Sequence, residues 1–126
     1  MEKISLTVYL KYGILFLVKK GSIIMDMKYE LVKDTSIDYK DHTLYRIKAL
    51  KDFGEVKKGD LGGYVESEKN LSQKENCWIS GDATISGDAK VYGRAWVYGN
   101  AEVYDNATVS GNATVSGNAK VYGAEV

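Results

Sequence analysis

From residue 76 to residue 122 the chain returns to the same residue type every six positions. Ile79, Ile85, Val91, Val97, Val103, Val109, Val115 and Val121 share one phase, and Ala83, Ala89, Ala95, Ala101, Ala107, Ala113 and Ala119 share another. Gly-Asp or Gly-Asn precedes the alanines, as in Gly81-Asp82, Gly87-Asp88, Gly99-Asn100, Gly111-Asn112 and Gly117-Asn118; Gly93-Arg94 and Asp105-Asn106 depart. A period of six excludes a helix, because apolar residues at that spacing drift around a turn of about 3.6 residues. A short strand and a corner satisfy it. The β-branched residue points inward between two outward neighbours, the glycine pair turns the chain at low steric cost, and alanine fills a tight inner corner. One such unit cannot bury its own apolar side chain, so units must stack coil on coil into an all-β solenoid.

The units Val97-Tyr98-Gly99-Asn100-Ala101-Glu102 and Val109-Ser110-Gly111-Asn112-Ala113-Thr114 resemble the hexapeptide repeats of left-handed parallel β-helix proteins. That resemblance implies triangular coils of three hexads each. The run Gly59-Asp60-Leu61-Gly62-Gly63-Tyr64-Val65-Glu66, followed by Glu68-Lys69-Asn70-Leu71-Ser72, is similar to the leading segment of small phage and prophage hexapeptide-repeat proteins. Together these matches run from about residue 28 onward, and they imply a phage setting in the cytoplasm of a bacterial host.

The chain has 126 residues, a length suited to one domain with a modest core. Three parts are expected: an extension over 1–27, a small β-rich cap over 28–64 and the solenoid over 65–126. Formal charge cancels, with 14 basic and 12 acidic residues before position 77 and 3 and 5 after it. Neither part carries the basic excess of a nucleic-acid binder. The single Cys77 excludes an internal disulfide, and its place in the alanine phase reads as a packed thiol.

In the extension, Ile4, Leu6, Val8 and Leu10 alternate and Ile14-Leu15-Phe16-Leu17-Val18 runs apolar. It is too short and too interrupted by Lys11 to span a membrane. Two readings stand: a β-hairpin turning near Lys11-Tyr12-Gly13, or upstream translation that is not native. In the cap, Tyr29-Glu30-Leu31-Val32 and Thr43-Leu44-Tyr45-Arg46-Ile47-Lys48-Ala49-Leu50 alternate as strands, with a polar connection over 33–42. Asp52-Phe53-Gly54 is a turn, and Gly62-Gly63 offers only a weak phosphate-cradle signal with no helix after it. Counted back in sixes, Cys77, Leu71 and Val65 take the alanine phase, so the coil begins near Val65. A cap is needed there because a bare first coil recruits other strands. At the far end, 121–126 breaks phase by losing the asparagine, which makes that coil a candidate for end-to-end association.

With three hexads per coil, equivalent positions in successive coils stack at the strand spacing of about 4.8 Å. One face then carries Trp78, Trp96 and Thr114 beside Ser80, Tyr98 and Ser116. A second carries Thr84, Glu102 and Lys120 beside Ser86, Tyr104 and Tyr122, and the third carries Lys90 and Thr108 beside Tyr92 and Ser110. Both tryptophans share a face. Such a cluster marks a subunit or partner interface, or else a surface the cap or the N-terminal hairpin folds over, or a platform for a small ligand such as a nucleotide.

Little points to chemistry. Hexapeptide-repeat acyltransferases, which the fold resembles, use a histidine base between subunits, and the one histidine here, His42, precedes the repeats. Asp82 and Asp88 fall at different corners and cannot share a metal ion within one coil, so no metal or cofactor is expected. The leading expectation is a non-catalytic phage-type solenoid acting by protein contact and self-association, through Trp78, Trp96 and Tyr98 with Tyr104 and Tyr122 as further contact residues. The alternatives are a counter-defence inhibitor of the anti-CRISPR type, which occludes a host immune protein or sequesters a nucleotide signal, and an acyltransferase relative.

Overall fold

A computed structural model describes residues 6–11, 14–19, 22–25, 27–123 and 125–126, and most of its ordered elements are strands. Leu6–Lys11 (β1), Ile14–Lys19 (β2) and Ser22–Met25 (β3) form an antiparallel sheet in that order, with Leu6 opposite Lys19 and Lys11 opposite Ile14. The turn expected at Tyr12-Gly13 lies outside the described residues. Among the described residues this sheet pairs only within itself.

The cap begins with the hairpin of Tyr29–Tyr39 (β4) and His42–Ala49 (β5). Residues 33–39, read from sequence as polar connection, are strand. The polar run is absorbed by a break in register between Val32 and Ile37, where the Thr35 hydroxyl donates to the Val32 carbonyl (2.7 Å) and accepts from the Arg46 N–H (3.0 Å). Only Lys40 and Asp41 turn the chain, at φ 47° and 68°, the left-handed pair that matches hairpin twist. After a loop over 50–60, Leu61–Val65 (β6) runs antiparallel to β5.

The repeats then supply one short strand per unit: Trp78–Ile79 (β7), Thr84–Ile85 (β8), Lys90–Val91 (β9), Trp96–Val97 (β10), Glu102–Tyr104 (β11), Thr108–Val109 (β12), Thr114–Val115 (β13) and Lys120–Tyr122 (β14). Trp78 pairs in parallel with Trp96, and Trp96 with Thr114, so every third strand stacks and a coil holds three units. Three faces result. Face one is β7, β10 and β13; face two is β8, β11 and β14, extended through β6 to the cap hairpin; face three is β9 and β12. Outward residues donate their N–H to the coil ahead, as Trp96 does to the Ala113 carbonyl and Thr84 to that of Ala101, both at 3.0 Å.

Inside, Ile79, Ile85, Val97, Val103 and Val109 and the corner alanines Ala83 through Ala107 are fully buried. Each aliphatic side chain so enclosed contributes about 2 kcal/mol of transfer free energy. At the corner where aspartate replaces glycine, Asp105 adopts φ 57°, a conformation short polar side chains tolerate.

The phase before Cys77 differs from the count in sixes. Val65 stacks on Ile85 and Leu71 on Val91, so both take the aliphatic position, and the chain takes a longer way round to each partner than it does within the repeats. The extra length sits in the loop between Leu71 and Cys77, where Glu75 turns at φ 55°. Cys77 keeps the alanine place and is buried. The loop swings wide because it encloses the Lys28 side chain, whose ammonium bonds the Glu75 and Cys77 carbonyls. At the other end the last unit is one residue short, yet Glu125 reaches Thr108 and the Ser110 N–H finds the Val126 carbonyl at 3.1 Å.

Candidate protein-contact face

Face one brings the two indoles into register, Trp78 directly paired with Trp96. Trp78 departs from the expected exposed cluster: it is 2% exposed. Phe53, from the cap loop, meets its ring edge-on at 5.3 Å between centroids, and Tyr29 does so at 6.4 Å. Phe53 is held over the indole by a small turn in which its N–H and carbonyl both bond Val56 (3.0 and 2.8 Å). The cap therefore covers the first rung of the face and stops there. Trp96 is half-buried, Tyr98 is 42% exposed and Leu61, which opens β6, is 57% exposed. Between the cap loop and Trp96 lies a crevice of about 310 Å³, lined by Glu55, Val56, Asp60, Leu61, Ser80 and both indoles.

On face two, Tyr104 and Tyr122 stack on each other, 5.1 Å apart and 17° from parallel. Tyr122 is exposed, while Tyr104 is half-covered by the hairpin tip. The Lys40 ammonium lies 5.3 Å from the Tyr104 ring and 3.4 Å from the Glu102 carboxylate. The tip also carries His42, whose Nδ1 stands 3.0 Å from Glu66 Oε1; the same oxygen accepts the Gly87 N–H at 2.7 Å. Burial pushes the Glu66 carboxyl up, but the His42 and Gly87 hydrogen bonds, with the charges of His42 and Lys69, outweigh it and hold it below its ordinary value. Glu66 is thus the orienting partner of His42 that sequence could not name, because a whole strand and loop separate the two with no motif between them.

The seam between cap and first coil holds polar groups that sequence reasoning missed. Lys28 is 1% exposed, and its ammonium donates to the carbonyls of Cys77 (2.7 Å) and Glu75 (3.3 Å) and lies 3.3 Å from Cys77 Sγ. Burial lowers the Lys28 pKa and raises that of Cys77, each partly offset by the other's charge. Gln73 clips the start of β4: its Oε1 accepts from the N–H groups of Lys28 and Tyr29 and its Nε2 donates to the Tyr29 carbonyl. Arg46 bonds the carbonyls of Gly62 (2.8 Å) and Gly81 (3.2 Å) and the carboxylate of Asp82 (3.2 Å). Gly62-Gly63 is a packing device. A Cβ on Gly62 would meet Ile47 Cγ1 at 2.6 Å, and one on Gly63 would meet Ala83 O at 2.7 Å.

A stacked, three-faced β architecture, closed at one end by its own hairpin, makes this a β-solenoid repeat protein. A family model described as YdcK Beta solenoid repeat matches residues 101–117 and 109–123, which are the units from β11 to β14. No curated protein gives a significant match to the chain.

Proposed function

We propose that the protein is a non-catalytic solenoid that works by protein contact and associates with a second copy of itself through face one. The observation that carries this reading is the uncovered pair of Trp96 and Tyr98 on face one, with exposed Leu61 at its border with face two, next to a rung the cap does cover. Large aromatic side chains left half-exposed beside one another are the residues that dominate contact energy when a partner removes them from water. The chain's formal net charge of zero adds no long-range repulsion between copies. The test is light scattering across a concentration series. The wild type is expected to self-associate and Trp96→Ser to dissociate with its fold intact; an unchanged oligomer would count against the face.

A phage setting, and a host protein engaged by this face, rest on the resemblance of the repeats and the Gly59–Ser72 run. One observation favours a catalytic alternative: the His42–Glu66 pair leaves the second imidazole nitrogen free of that contact, as a general base requires. Acyl transfer from acyl-CoA, lost in both His42→Ala and Glu66→Gln, would establish it, and absence of turnover in the wild type would dismiss it.

A further inference from the structure

We propose that Arg94 of a second copy seats in the crevice beside Trp96, and reciprocally, so that face one closes on itself about a two-fold axis. This rests on the contact reading above and names the residue that completes it. Arg94 breaks the repeat: at every other corner from Asp82 to Asn118 the same position is Asn or Asp. The corner turns on the glycine before it, Gly93 standing at φ 71° like Gly99, so the turn forms without a short polar residue after it; such local exceptions collect at functional surfaces. Its side chain is exposed and makes no hydrogen bond or ion pair among the described residues.

The crevice has the chemistry an arginine takes. Trp96 and Leu61 supply an apolar wall, and Glu55 and Asp60 bring carboxylates to its lining. Guanidinium groups stack on indoles and pair with carboxylates, and the combination is stronger once water is excluded. Among the described residues Glu55 has no ion-pair partner, whereas Asp60 is engaged in its own turn through the Lys57 N–H at 3.0 Å.

Placement decides the symmetry. Arg94 lies at the corner where the chain enters face one ahead of β10. Leu61 and Ser80 lie at the corner where the chain leaves it, tied together by Arg46 across the Gly62 and Gly81 carbonyls. The basic and acidic borders are therefore opposite edges of one sheet. A two-fold axis along the coil stack exchanges those edges, setting each Arg94 against the other copy's crevice; that is the self-complementary patch an isologous dimer requires.

The experiment is sedimentation equilibrium on the full chain, with far-UV circular dichroism and thermal midpoint as fold controls. Arg94→Asn restores the repeat's own corner residue and is expected to fold as the wild type while weakening the dimer at least about tenfold. Arg94→Glu and Glu55→Arg singly are expected to dissociate it, and the two together to recover association. If Arg94→Asn dimerises like the wild type while Trp96→Ser does not, this inference is overturned and the contact reading stands. If Trp96→Ser also dimerises, or the wild type is monomeric throughout, both fall.

Discussion

Asn70 substitutes for a strand that the first coil lacks on its third side. It is fully buried in a 3-10 turn over Glu68–Asn70, and its Oδ1 accepts the N–H groups of Glu66 (3.0 Å) and Ser67 (2.9 Å). Its Nδ2 donates to the carbonyls of Gly87 (3.1 Å) and Ala89 (2.8 Å), groups that a neighbouring coil would otherwise satisfy. Asn70→Ala removes the side-chain partner of the Ser67 N–H and of the Gly87 and Ala89 carbonyls, while the Glu66 N–H keeps the Ile85 carbonyl at 3.2 Å, and denaturant titration should show a loss of about 2 kcal/mol or more. In sequence Asn70 read only as part of the leading segment, since nothing local says its amide replaces a rung. Glu66 supplies a pH dependence. Its folded carboxyl lies below the ordinary value of 4.5, so its contribution is present above that pH and lost as pH falls through the folded value. The difference in melting temperature between wild type and Glu66→Gln should therefore hold above pH 4.5 and shrink as pH falls below it; a constant difference would refute the assignment.

At the scale of the unit, the corner glycines serve two ends that can be separated. Gly99 and Gly117 share the left-handed conformation, at φ 71° and 64°. A Cβ on Gly99 would stand 3.0 Å from the backbone nitrogen of Gly117 in the coil above, while one on Gly117 would meet nothing within 4 Å. Gly117→Ala should thus cost about 1 kcal/mol for conformation alone, and Gly99→Ala clearly more, because two coils must part. Thermal unfolding of the pair checks the order. The register from Cys77 onward was legible because inward valines and alanines recur without a break. The register before it was not. Val65 and Leu71 keep the spacing of the repeat and so mimic its phase, while the excess in the following loop is set by Lys28, a residue distant in sequence and bound to that loop's carbonyls. Cover by the cap was one of the readings open for this face, but the residue that provides it was hidden: Phe53 reaches Trp78 from a turn whose sequence says only that the chain bends.

For the molecule as a whole, stability is graded along the stack. A middle coil has neighbours on both sides, whereas the coil carrying β13 and β14 has one among the described residues. In repeat architectures each unit's stability is its own plus those of its interfaces. Native-state hydrogen exchange should therefore find the amides of Trp96, Tyr98 and Glu102 among the slowest and those of Thr114 and Ser116 much faster. Uniform protection from Trp78 to Tyr122 would show that the coils open together instead.

Because every rung recurs after three units, height and cross-section are set independently. Splicing in one more set of three units would raise everything above the splice by a single step of about 4.8 Å and leave the girth untouched. Such a body behaves as a graduated rod, on which the distance between any two decorations is fixed by how many turns of chain separate them.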